Sequence, residues 1–203
     1  MQQNVISSYC AIKDRCVFKN GKLLFDRNTD GSLEAFLIEI YEKLQISYPK
    51  FYKMDNLSKA GLLASEIIAK EHPLVKEYEP HTIALVLANA SSSLDTDLKY
   101  LESTHQMASP ALFVYTLPNI VMGEICIRHG IKGENGFFIF DKFDPEFISN
   151  YVNLVMEQGA KACLAGWIEV CGEQHNVFLY LIENKTQGLA LPHTTEQLLK
   201  LYQ

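Results

Sequence analysis

The run Asp141-Lys142-Phe143-Asp144 closes the stretch GENGFFIFDKFD, Gly133 to Asp144, and reads as a candidate functional charge cluster. The stretch reads as a glycine-bounded turn, an apolar strand, and an exit into a helix at Asp144-Pro145. Strand-to-helix corners of this kind are where α/β enzymes commonly present a nucleophile or bind a ligand. This corner has no Cys or Ser. What it offers is the Lys142 amine, as a nucleophile or anion site, with Asp141 or His129 as its acid/base partner. The same residues also read as a solvated rim followed by a helix cap. A second cluster, SSSLDTD at positions 91–97, is dense in hydroxyls and carboxylates. It could hold a metal or a phosphate, or it could satisfy loop backbone donors and cap a helix.

The other usual constellations are missing. The histidines at 72, 81, 105, 129, 175 and 193 include no i, i+4 pair and no HExxH, so no metal site is expected. Gly130, Gly133 and Gly136 do not spell GxGxxG, and GxSxG is absent, so no cofactor is expected. The five cysteines, Cys10, Cys16, Cys126, Cys163 and Cys171, contain no CxxC and read as reduced thiols of a cytoplasmic protein. A net charge of −6 argues against nucleic-acid binding. No segment approaches the ~20 apolar residues that span a bilayer, and MQQNVISSYC lacks the pattern of a signal peptide.

Stepping outward from these residues, the pattern predicts the elements that would position them. With 48% hydrophobic and 21% charged residues, the 203-residue chain is an ordinary globular composition. Val5 to Phe25 reads as a strand and a short hairpin, with turns at Lys13-Asp14-Arg15 and Asn20-Gly21. Ser32 is a predicted N-cap for LEAFLIEIYEKL, and LSKAGLLASEIIAKE is a second amphipathic helix. HTIALVLANA suits a strand buried on both faces. Ser93 or Asp95 would cap a short helix. A helix is predicted from about Pro118 to His129, closed by Gly130, and another over about Pro145 to Gln158. ACLAGWIEV and NVFLYLIE form an antiparallel pair, and Thr195 to Tyr202 a terminal helix. The aromatic run Phe137 to Phe140 reads either as monomer core or as a surface for a second subunit. The fold class is α/β: one domain with a mixed, mostly parallel sheet covered by helices on both faces.

The order of residues from Ser109 onward resembles the β-ketoacyl synthases, the condensing enzymes of the thiolase-like superfamily. The resemblance rests on SPALFVYTLPNIVMGEICIRHGIKGENGFFIFDKFD, through Ser109, Pro110, Asn119, Gly123, Gly130 and Gly133. GAKACLAGWIEV is similar to the strand that follows in that family, through Gly159, Ala162, Ala165, Gly166 and Glu169, with Trp167 in place of a second glycine. YPKFYKMDNLSKAGLLASEIIAKE resembles an early helix of the family. The likeness runs from about Tyr48 to Glu183 and is strongest to short synthase-like proteins of bacterial aryl-polyene and flexirubin clusters.

Two departures from the family matter more than the matches. The position of the family's catalytic cysteine falls on Lys142, within one residue, and neither Asp141 nor Phe143 can form an acyl thioester. The family's second half, with its two histidines and lysine, has no counterpart in residues 1–203. The resemblance therefore implies a thiolase-like half-domain without catalytic residues. It implies a chain-length-factor-type partner of a full-length β-ketoacyl synthase in polyene or fatty-acid-like synthesis, with an acyl carrier protein as a further candidate partner. In that reading Phe137, Phe138, Ile139 and Phe140 form the partner interface, and Leu112, Phe113 and Tyr115 line the end of an acyl tunnel. A homodimeric module binding an acyl chain or acyl carrier, and a small enzyme using Lys142, stand as the alternatives.

Overall fold

The computed structural model describes residues 4–26, 31–105, 107–184 and 188–203. In chain order the elements are β1 (Val5–Lys13), β2 (Cys16–Lys19), β3 (Lys22–Asp26), α1 (Leu33–Lys43), α2 (Asn56–Ala69), α3 (Leu74–Glu77), β4 (Ile83–Asn89), α4 (Leu94–Ser103), α5 (Pro110–Val114) and α6 (Ile120–His129). They continue with β5 (Asn135–Ile139), α7 (Pro145–Glu157), β6 (Ala162–Cys171), β7 (Gln174–Glu183), β8 (Leu191–Pro192) and α8 (Thr195–Tyr202). Among the described residues the strands form one sheet in the order β3-β2-β1-β7-β6-β4-β5, with β8 added to β1. The sheet is mixed and helices cover both faces. Parallel pairing is confined to β4 with β5 and β4 with β6, whereas every other ladder is antiparallel. The expected predominance of parallel strands is corrected on this point. The reason is local: β1–β2 and β2–β3 are closed by two-residue turns whose residues Asp14, Arg15, Asn20 and Gly21 all take positive φ, which forces antiparallel return.

The alternation of side chains divides the core in two. Ile83, Leu85 and Leu87 of β4 and Leu164, Ile168 and Val170 of β6 face a layer built by α1, α2 and α6. Ala84, Val86 and Ala88 of β4 and Cys163, Ala165 and Trp167 of β6 face α7 and α8. β4 is buried along its whole length, as an apolar run covered on both sides requires. β1 contributes to both layers because its register slips between Ile6 and Ser8. Ile6 consequently faces α7 and α8, while Cys10 and Ile12 face α1 and α2, the inversion that one extra residue produces in a two-residue repeat.

α2 is the central helix of its layer, with eleven buried residues. Asp55 caps it by accepting from Ser58 N at 2.9 Å. At Gly61 the side chains of Val121 on α6 and Ile168 on β6 fill the place of a Cβ, so the glycine allows three elements to close together.

On the opposite layer, His193 links β7 to α7. Its Nδ1 donates to Asn153 Oδ1 at 2.9 Å, and the buried Tyr180 hydroxyl donates to Nε2 at 3.3 Å. Burial pushes the His193 pKa down to about 4. Because the folded value lies below the ordinary 6.5, this group contributes full stability above pH 6.5. The contribution is lost as pH falls from about 6.5 to about 4, where the unfolded chain alone takes up the proton. The loss from this group is expected to reach about 3 kcal/mol at pH 4. His129 and His175 are shifted the same way by burial, so the group is isolated by comparison. Urea unfolding of wild type and His193→Gln at pH 7.5 and 4.5 should show a smaller acid loss in the variant.

Candidate functional site: the corner and the sheet edge

β5 occupies the end of the sheet and pairs only with β4. One of its backbone edges therefore has no strand beside it among the described residues. Ile139 is 48% exposed. Phe137, Phe138 and Phe140 are half-buried, with Phe137 packed toward the α1, α2 and α6 layer and Phe138 and Phe140 toward α7. Phe138 meets Phe147 and Tyr151 edge-on, each at 4.9 Å between ring centroids, and Phe140 meets Phe147 at 4.9 Å. These rings form a semi-exposed aromatic ridge along the β5–α7 border, next to a groove lined by Phe147, Asn150, Tyr151 and Leu154.

The corner itself turns out to be half surface and half plug. Asp141 and Lys142 are exposed. Asp144 caps α7 by accepting from Phe147 N at 2.9 Å, and Pro145 takes the first helical position. Phe143 points inward and is 6% exposed. Its ring centroid lies 4.4 Å from Tyr202, 5.8 Å from Phe178 and 6.1 Å from Trp167. Tyr202 comes from α8 and accepts from Asn176 Nδ2 at 3.0 Å, which fixes the terminal helix over the corner. The space beneath the strand end is filled by aromatic rings.

Lys142 is not joined by His129. His129 ends α6 before β5 begins, whereas Lys142 follows the end of β5, so the two sit toward opposite ends of that strand. His129 instead contacts Ser65 of α2, Oγ to Nε2 at 2.8 Å. The SSSLDTD run is consumed by structure. Asn89 bonds Ser92 N and O at 3.1 and 2.8 Å, and Ser93 Oγ donates to Thr116 O at 2.8 Å. Thr96 Oγ1 donates to Asp55 Oδ2 at 3.0 Å. Glu169 accepts from Ala90 N at 2.6 Å and Ser91 N at 3.1 Å, so its carboxylate ties the end of β4 to β6. Among the described residues no His, Cys, Asp or Glu group is arranged to hold a metal, and no helix is long and apolar enough to cross a membrane. All five cysteines are free thiols. Burial pushes the Cys10 thiol up to about 12 and the Cys163 thiol higher still, so neither supplies a thiolate nucleophile at neutral pH.

The Ser109-Pro110 segment opens a short helix of its own, α5. Ser109 Oγ accepts from Leu112 N at 3.3 Å and Pro110 sits at the first position of α5. Phe113 is 58% exposed and Leu112 half-buried. Tyr115 is turned into the protein, where its hydroxyl donates to the buried Glu124 Oε1 at 3.1 Å. The motif glycines separate by role. Gly130 takes a left-handed φ of 71° to end α6. Gly133 admits the carbonyls of His81 and Ile83, where a side chain would clash. Gly123 has no neighbour within 4 Å of a Cβ position, and Ile127, one turn on, is exposed. Asn119 stands at the start of α6 without a side-chain cap bond.

A further apolar surface was not singled out from sequence. Leu94, Leu98 and Leu101 recur along α4 and are all exposed, as are Phe113 and Leu117 beside them. Tyr100 packs on Phe113 at 5.5 Å, joining the two helices. The signal was present as leucines at helical spacing inside a polar segment, a pattern that reads as an ordinary amphipathic helix until its apolar face is found uncovered.

The sequence matches no family model and no curated protein. The structure is similar to several solved ones. The ishigamide ketosynthase/chain length factor matches with a TM-score of 0.68 at 18% identity, over 94% of this chain and 64% of that one. The ketosynthase ApeO in complex with its chain length factor ApeC from Xenorhabdus doucetiae matches with a TM-score of 0.59 at 13% identity, over 100% of this chain and 91% of that one. AntDE:AntF, a type II PKS acyl-carrier protein in complex with its ketosynthase bound to the hexaketide, matches with a TM-score of 0.56 at 17% identity, over 90% and 63%. The chain thus spans just under two thirds of the first and third of these. At such identities the likeness establishes the fold.

Proposed function

We propose that this chain, which has the fold of the ketosynthase and chain-length-factor proteins, is a non-catalytic, chain-length-factor-type subunit. It pairs with a full-length ketosynthase in polyene or fatty-acid-like synthesis, with an acyl carrier protein as the complex's further partner. In this reading residues 1–203 are a single domain of the family's N-terminal-half type. The observation that carries the proposal is the conjunction at the end of β5: an apolar sheet edge with Ile139 exposed, directly followed by a corner without Cys or Ser and with an aromatic plug in its floor. An edge of this kind invites a partner. The uncovered faces of α4 and α5 add apolar area beyond what a five-residue strand can bury, and interfaces that hold stably need about 800 Å² on each side. Gly123 with Ile127 gives α6 a further bare, apolar outer face.

Within the assembly, Phe113 and Leu112 are the side chains placed to close a partner's acyl tunnel. Tyr115 supports them from inside through Glu124. Overlap at a dry tunnel end excludes longer chains, each unburied methylene forfeiting about 0.8 kcal/mol.

The test is co-expression with a ketosynthase of the aryl-polyene type. Wild type should co-purify in a 1:1 complex, and Ile139→Asp should weaken the complex by about 30-fold or more, the size expected for burying a charge at an interface centre. Phe113→Ala in an active complex should lengthen the product. A stable homodimer in analytical ultracentrifugation that ignores the ketosynthase would favour the homodimeric acyl-binding module instead.

A further inference from the structure

A cleft of about 400 Å³ lies on the α1, α2 and α6 layer, lined where the C-terminal ends of these three helices and α3 converge. Leu44, Ile46, Ala69, Pro73, Leu74 and Val75 give it apolar walls. Its polar groups carry an excess of positive charge. Lys70, Lys76 and Arg128 stand against Glu66 alone, in a chain whose net charge is −6. Both lysines are exposed. Arg128 is pre-oriented: its Nε and Nη2 donate to Glu66 at 2.5 and 3.3 Å, and its guanidinium lies 5.1 Å from the centre of the Tyr48 ring.

His129 supplies a hydrogen-bond acceptor in the same cleft. Its side chain is nine-tenths buried. Ser65 Oγ spends its one proton on Leu62 O at 2.7 Å, so at 2.8 Å it accepts from His129 Nε2–H. Nδ1 is then the bare nitrogen, with no partner among the described residues. Burial holds the ring below its ordinary pKa and hence neutral at pH 7.

We propose that this cleft binds a small amphipathic organic carboxylate: the anionic head meets Lys70, Lys76 and Arg128, an adjacent hydroxyl donates to His129 Nδ1, and an apolar body lies along Ile46, Pro73 and Val75. Its volume falls within the range of small-molecule sites. None of its lining residues belongs to β5, and the proposal is independent of the partner reading.

The test is titration of the ¹⁵N-labelled full chain with three probes: 2-hydroxyhexanoate, hexanoate and neutral 2-hydroxyhexanamide. Saturable shifts are expected at the amides of Ile46, Lys70 and Val75 with 2-hydroxyhexanoate. Binding should be about tenfold weaker or more with the amide, which lacks the charge, and weaker by a smaller factor with hexanoate, which lacks the hydroxyl. The surface variant Lys70→Ala/Lys76→Ala should weaken 2-hydroxyhexanoate by about tenfold with an unchanged spectrum elsewhere. Equal binding of the charged and neutral probes, binding untouched by the double variant, or no saturable shift with any probe overturns the proposal.

Discussion

Gly166→Ala is expected to cost about 4 kcal/mol of unfolding free energy and to leave little folded protein at 37 °C. Gly166 has a φ of 156°, and the place of its missing Cβ is occupied by the carbonyl oxygen of Phe178 on β7. The obstacle is backbone, so no rotamer change relieves it. β6 and β7 pair residue for residue from Ala162↔Glu183 to Cys171↔Gln174, and a shift at one pair strains its neighbours. Conformational strain and steric overpacking each cost about 1–3 kcal/mol, against a total stability of 5–15 kcal/mol for a typical domain. Urea denaturation followed by far-UV circular dichroism measures the loss. A midpoint within error of wild type would show that β7 yields at this point and that the close approach is not required.

Phe143→Ala should cost about 3–5 kcal/mol, the usual range for removing a buried phenylalanine. The ring touches Trp167 of β6, Phe178 of β7 and Tyr202 of α8, so its loss leaves a void bounded by three elements. The strand end and α7 are held independently by the Asp144 cap, and the variant is expected to keep its secondary structure. A selective change in the near-ultraviolet circular dichroism of Trp167, together with the lowered unfolding midpoint, is the expected signature. The result bears on the corner because the Phe143 ring is what fills its floor.

Much of this arrangement was legible in the residues. The N-cap at Ser32, the stop at Gly130, the Asp144-Pro145 helix start and the two-sided burial of β4 all follow from local chemistry, and the structure has them. What sequence could not supply was adjacency. Strand direction is set by which segments meet, and nothing in VISSYCAIK says that its partner is NVFLYLIE, more than 150 residues later. The bulge at Ile6/Ser8 is equally invisible, since a run whose serines Ser7 and Ser8 are adjacent shows no two-residue alternation. Tyr115 illustrates the same limit in the candidate site. Its neighbour Phe113 is exposed, and only the position of Glu124 one helix away explains why the tyrosine is drawn inward. Lys142 and His129 share a short stretch of chain but are divided by the length of a strand, so proximity in sequence suggested a pair that space does not form.

The central place of β1 has a consequence for biogenesis. It lies between β2 and β7 in the finished sheet, so it waits for a partner strand made more than 150 residues later. Such long-range closure is slow because loop entropy is spent before contacts return it. Until the segment through Glu183 has been made, the nascent chain holds the β1–β3 hairpins and the apolar β4 without their final neighbours. Slowed translation late in the message, or a chaperone that shields the early strands, should therefore raise the yield of native protein more than any change made to the surface of the finished fold.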